Sequence, residues 1–115
     1  MASRISPYMR GTIEMDDYNT SDAIVMSPGN IGAFQASWDT GVGNLVLQES
    51  IDREHWTIVQ QVDIDGYLYD SYSIVAPGHY YCEIRDITAP FMRVKYNIAH
   101  GSGTLSFIFH QKRRA

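Results

Sequence analysis

One cysteine, no long apolar run and little positive charge set the first limits on this 115-residue chain. With Cys82 alone, no disulfide can close within the chain, so stability has to come from packing or assembly. No stretch approaches a membrane span, and the opening MASRISPYMRGTIEM lacks the apolar segment of an export signal, so synthesis and retention in the cytosol are expected. A formal net charge of −4 argues against a broad nucleic-acid face, which needs clustered Lys and Arg. Neither nucleic acid nor membrane is an expected partner. The basic residues that do cluster, Lys112, Arg113 and Arg114, form a short C-terminal tail (112–115) whose ordinary role is to be solvated.

Reaction chemistry is equally sparse. The four histidines, His55, His79, His100 and His110, are scattered, with no HExxH or paired-Cys spacing to bring metal ligands together, and no GxSxG elbow marks a nucleophile. Cys82, inside the strand-like HYYCEI, reads as a buried, inert thiol. The glycines of GVGN and GSGT make neither a GxGxxG fingerprint nor a P-loop. In VDIDGYLYD, Asp63, Asp65 and Gly66 imitate the start of a calcium loop, but the further ligands and the closing Glu are missing, and an Asp-Gly turn explains the residues. The expectation is no enzyme, no cofactor, no metal and no catalytic residue.

What the chain does have is strand-forming residues punctuated by turns. Nine Gly, eight Tyr and many Thr, Ser and Val favour an all-β domain of a size that buries a single core. IGAFQASW puts Phe34, Ala36 and Trp38 on one face; NLVLQES puts Leu45 and Leu47 on one and Val46 and Gln48 on the other. HYYCEI offers Tyr80, Cys82 and Ile84, FMRVKYNI offers Met92, Val94, Tyr96 and Ile98, and GTLSFIFH answers with Leu105, Phe107 and Phe109. In WTIVQQV the apolar set is Trp56, Ile58 and Val62, which makes Trp56 a peg closing one end of the core near Leu45 or Leu47. About eight short strands near ten residues apart imply an antiparallel two-sheet sandwich over 23–111, jelly-roll-like if strands exchange between sheets. Residues 1–22 are weakly periodic and read as an extended N-terminal arm with one short strand, RGTIEM, which gains order by lying on the chain's own sandwich or on a neighbouring subunit. Tyr67, Tyr69, Tyr72, Tyr80 and Tyr81 serve either the sheets or a surface for sugar or protein.

The series NLVLQES-IDREHW, APFMRVKY and GTLSFIF resembles small β-sandwich structural proteins of tailed bacteriophages over residues 30 to 110, and is similar also to discoidin-like sugar-binding domains. The turn reads Ile51-Asp52-Arg53-Glu54 where that family carries Asn-Asp-Gly, and Phe91 stands one residue further from the Arg-Val strand than its aromatic. The resemblance implies a head decoration (cement) protein on the virion capsid surface that binds the major capsid protein as a homo-oligomer, with a trimer favoured. A tail- or fibre-associated, carbohydrate-binding module is the alternative. On the decoration reading the arm is the clamp, with Tyr8, Met9 and Ile13 as apolar anchors and Lys112, Arg113 and Arg114 as an electrostatic contact; deleting residues 2–20 is then expected to leave the sandwich folded but to remove shell binding.

Overall fold

Alternation with a period of two puts every second side chain of a strand on one face, and a chain built of such runs buries them by closing two sheets on each other. The computed structural model describes residues 8–15, 19–39, 42–100 and 103–113, with only the backbone for 98–100. Among the described residues the strands are β1 (Tyr8–Glu14), β2 (Asn19–Thr20), β3 (Ile24–Val25), β4 (Ile31–Trp38), β5 (Val42–Ser50), β6 (Thr57–Val59), β7 (Gln61–Val62), β8 (Leu68–Tyr69), β9 (Tyr72–Ile74), β10 (Gly78–Ile84), β11 (Phe91–His100) and β12 (Thr104–Lys112). Sheet A runs β1-β12-β4-β10-β7-β8; sheet B runs β2-β11-β5-β6, with β3 also on β11 and β9 also on β5. Every pairing is antiparallel. Counting β2 with β3, and β6 with β9, as broken single strands, β1-β12-β4-β10 faces β2/β3-β11-β5-β6/β9, the strand exchange of a jelly roll.

The core follows the expected faces of β4, β10, β11 and β12. Phe34, Ala36, Trp38, Tyr80, Cys82, Ile84, Met92, Val94, Tyr96, Leu105, Phe107 and Phe109 are all buried; the Ile98 side chain lies outside the described set. Phe34 packs on Phe109 at 4.9 Å between ring centroids and on Phe107 at 6.1 Å, so truncating Phe34 would cost about 3–5 kcal/mol. Trp38 is structural: its Nε1 donates to the Ala76 carbonyl at 2.7 Å, so the indole N–H is satisfied without water. The Gln61 side chain is fully enclosed: it accepts from Tyr80 Oη at 2.6 Å and donates through Nε2 to the Leu45 carbonyl at 3.3 Å, linking β7 to both sheets.

The N-terminal segment is not a detachable arm from Tyr8 onward. β1 pairs with β12 over its whole length, Tyr8 opposite His110 through Glu14 opposite Thr104, without a bulge. Ile13 is 4% exposed and Met15 0%. β1 is one of the strands the jelly roll needs, and residues 19–20 and 24–25 begin sheet B, so the expectation that the sandwich stays folded without residues 2–20 is corrected.

The second correction concerns Trp56. Residues 57–59 belong to sheet B and 61–62 to sheet A, so the chain passes from one sheet to the other at Gln60 and the inward parity slips. Val59 and Val62 are buried, while Ile58 is 48% exposed. Trp56 sits before β6, half-buried, with the Arg93 guanidinium 4.2 Å from its ring centroid. Arg93 alternates with the inward Met92 and Val94, so this stack lies on the outer surface of sheet B, where Arg93 Nε also donates to Gln48 Oε1 at 2.8 Å.

Candidate docking surface

The outward positions of β1, β12, β4 and β10 make one continuous face. Tyr8 stacks on His110, its cross-strand partner, with centroids 4.6 Å apart and planes 10° from parallel. Ile108 and Ala33 form a half-buried floor beside Gln35, and Tyr81 stands across from Tyr8 on β10. Between them lies a shallow concavity of about 230 Å³. Tyr8 is 54% exposed and Tyr81 50%, so two aromatic rings flank a hollow of mixed polarity, and exposed aromatic rings are enriched in protein-binding patches. Lys112, two residues beyond His110 on β12, continues the same row and is exposed; Arg113 follows, also exposed.

The candidate anchors therefore divide. Tyr8 faces outward on this surface, Met9 is half-buried against the core, and Ile13 points wholly inward and is closed to any partner in the folded state. Lys112 and Arg113 are exposed, and Arg114 lies outside the described residues. The hollow itself was not foreseen. Its signal was present in GTLSFIFH, where Leu105, Phe107 and Phe109 inside require Ile108 and His110 outside.

The five tyrosines do not form one platform. Tyr72 and Tyr80 stack on each other at 3.8 Å, and Tyr72 also meets Trp38 at 6.1 Å, so this pair belongs to the interior. Tyr81 is on the outer face of sheet A. Tyr67 and Tyr69 are exposed at the β7–β8 hairpin together with Ile64, which is 93% exposed, and Leu68. Burial, and then the neighbouring Cys82, raise the Tyr80 phenol; the Asp63 carboxylate raises that of Tyr69.

Among the histidines His55 alone lies in a turn, His79 and His110 being strand residues, and the acids Asp52 and Asp63 settle as turn chemistry. Asp63 Oδ1 accepts from the amides of Asp65 and Tyr67, both at 2.9 Å, and Gly66 takes a positive φ of 88°, which fixes the Asp-Gly turn. At the β5–β6 loop, Ser50 Oγ accepts from the amides of Asp52 and Arg53, and Asp52 Oδ1 accepts from those of Glu54 and His55 at 2.8 and 2.9 Å. Asp52 Oδ2 lies 2.7 Å from His55 Nδ1. The His55 amide, the His55 ring and the Glu54 amide hold the Asp52 carboxyl far below the usual carboxylate range. Asp52, Glu54 and His55 are the one acidic and histidine trio within 4.8 Å among the described residues; it is exposed, and Asp52 spends its oxygens on the turn. Cys82 is sealed in the core and pushed up to about 12 by burial, which makes it a poor nucleophile.

No protein-family model and no curated protein matches this chain. Two solved structures share its fold over nearly their whole length. The SPBc2 prophage-derived protein YomS superposes with a TM-score of 0.64 at 11% identity, covering 96% of this chain and 100% of YomS. PirA superposes with a TM-score of 0.59, also at 11% identity, covering 94% of this chain and 97% of PirA. The chain thus shares its all-β fold with these two proteins, one of them prophage-derived.

Proposed function

We propose that this chain is a non-enzymatic virion structural protein of a tailed phage, a head decoration protein that docks on the assembled capsid shell and stabilises it. The observation that carries the phage assignment is the full-length likeness to a prophage-derived protein. The docking mode is supported by the outer face of sheet A, where Tyr8, Ile108 and Tyr81 line a hollow and the exposed Lys112 and Arg113 follow His110 along the chain. Its partner is the major capsid protein and its place is the capsid surface. A protein that binds only the assembled shell stabilises that shell by its binding free energy, and many copies multiply the effect.

The test is to incubate the purified protein with expanded, emptied heads of the phage that encodes it and to sediment them. Wild type co-sediments at saturating stoichiometry, and Tyr81→Ala combined with Ile108→Asp loses most of the bound protein while keeping its melting profile. Wild type left entirely in the supernatant defeats the proposal. A tail- or fibre-borne carbohydrate-binding role is the second possibility, favoured by the two tyrosine rings facing each other across a hollow that also presents Gln35 and His110. Retention on glycans, together with immunogold label on tails instead of heads, selects it.

A further inference from the structure

β1 ends sheet A, and its pairing determines which backbone groups it turns outward. Met15 N donates to the Gly103 carbonyl at 2.8 Å, in continuation of the β1–β12 register. Bonded and non-bonded pairs alternate along an antiparallel ladder, so Met9, Gly11 and Ile13 direct their N–H and C=O at β12, and Arg10, Thr12 and Glu14 direct theirs away from it. The Glu14 carbonyl indeed accepts from Asn19 Nδ2, off the β12 side, at 3.1 Å. Among the described residues β12 is the only strand paired with β1.

We propose that a second copy of this chain adds to this edge, antiparallel, on a two-fold axis through Thr12, so that the two A sheets join into one. In that register Thr12 lies opposite Thr12, and Arg10 of each copy lies opposite Glu14 of the other. These are one Thr–Thr pair and two opposite-charge pairs, both favourable cross-strand combinations. All three residue types are exposed on the outer face, and each pair is of the kind that exchanges both backbone bonds. The Glu14 carbonyl has a second lone pair for the added amide. Centring the pairing on Arg10 instead would set Arg10 against Arg10, and centring it on Gly11 would leave Arg10 opposite Thr12, so among registers centred on Arg10, Gly11 or Thr12 the charges select the last. Natural sheet edges are blunted by brevity, bulges, Pro or charged side chains, Lys above all, and the two charges of β1, Arg10 and Glu14, are the ones that find opposite partners in this register. The far edge of sheet A, β8, is two residues long, whereas β1 has seven residues, an unbroken register and neither Pro nor Lys. The contact is isologous and closes at two copies, unlike the threefold assembly expected from the phage resemblance.

Thr12→Pro tests this cleanly, because the Thr12 N–H is not spent on β12 and a proline is tolerated on the open side of an edge strand. Sedimentation velocity over a concentration series should show a reversible monomer–dimer equilibrium for wild type and monomer throughout for Thr12→Pro, with both proteins keeping the same circular dichroism spectrum. Arg10→Glu and Glu14→Arg should each weaken dimerisation about tenfold, since each acts at two symmetry-related pairs, and the double exchange should restore it. A wild type that stays monomeric, a dimer untouched by Thr12→Pro, or a double exchange no better than the singles overturns the proposal. Shell binding is read separately: Thr12→Pro leaves Tyr81 and Ile108 in place, so loss of the dimer with retained co-sedimentation separates this inference from the docking assignment.

Discussion

At one rim of the sandwich seven consecutive residues, Tyr8–Glu14, pair with β12 without interruption; at the other, residues 57–74 are cut into β6, β7, β8 and β9, which divide themselves between the two sheets. The first rim turns Ile13 and Met15 inward and keeps its exposed side chains polar apart from Tyr8; the second leaves Ile58, Ile64, Tyr67, Leu68 and Tyr69 in solvent. A long paired strand converts its alternation into burial on one side and an open backbone edge on the other. A rim made of short strands gives away apolar burial but offers no edge long enough to template another chain. The segment whose sequence looked least structured is therefore the one on which sheet A closes, and the tyrosine-rich segment is the looser one.

Substitutions at matched positions should separate the rims most widely. Ile13→Ala removes a buried side chain from a site walled by the core and is expected to cost about 2–4 kcal/mol in a urea titration. Leu68→Ala, at an exposed position of β8, is expected to change stability by about 0.5 kcal/mol or less. Equal costs would mean that β1 is not packed as described.

A smaller effect comes from glycine. A Cβ built on Gly11 would come 2.5 Å from Phe107 Cζ, so Gly11→Ala forces that ring to move and should destabilise by about 1–3 kcal/mol. Gly66, in the far-rim turn, has open space around it but a positive φ, so Gly66→Ala should cost about 1 kcal/mol through backbone strain alone. A Gly11 variant as stable as wild type would show that Phe107 does not lie under β1.

The least perturbing probe is pH. The folded-state pKa of Asp52 is depressed by the amide and ring hydrogen bonds of its loop, so its contribution is fully present above the ordinary aspartate pKa of about 3.9 and is lost as pH falls below that value towards the folded pKa. Amides of Glu54 and His55, which bond Asp52 Oδ1, should lose protection in that acid window before those of β1 do. Asp52→Asn should reproduce the loosening at neutral pH. Protection that does not vary between pH 6 and the acid limit would remove the carboxylate from the account of this loop.

Legibility in the sequence followed the same division. Where a strand keeps to one sheet for its full length, as β4, β10, β11 and β12 do, residue parity named the inward face, down to Phe34, Cys82, Tyr96 and Phe109. β1 obeys the same parity, with Met9, Ile13 and Met15 inward, but Gly11 stands at the fourth inward position because Phe107 fills its space, and the missing side chain hid the period. Around Gln60 parity could not work, since the chain changes sheet in mid-run and moves the inward position from Ile58 to Val59. Parity with Ile58 and Val62 points Trp56 at the core, and the same slip defeats it; Arg93, thirty-seven residues on, gives it an outer-surface partner that no local pattern encodes. The docking hollow was half legible, because inward Phe107 and Phe109 imply outward Ile108, whereas its second wall, Tyr81, arrives through the β4–β10 pairing.

Residue-resolved amide hydrogen exchange of the N-terminal segment tests most directly whether it is a strand of the jelly roll. The amides of Met9, Gly11, Ile13 and Met15 should be protected to the level of β12, with Arg10 and Thr12 exchanging quickly in dilute solution. Uniformly fast exchange from Tyr8 to Met15, with β12 still protected, would return the segment to a free arm and contradict the fold, the edge and the assembly built on it.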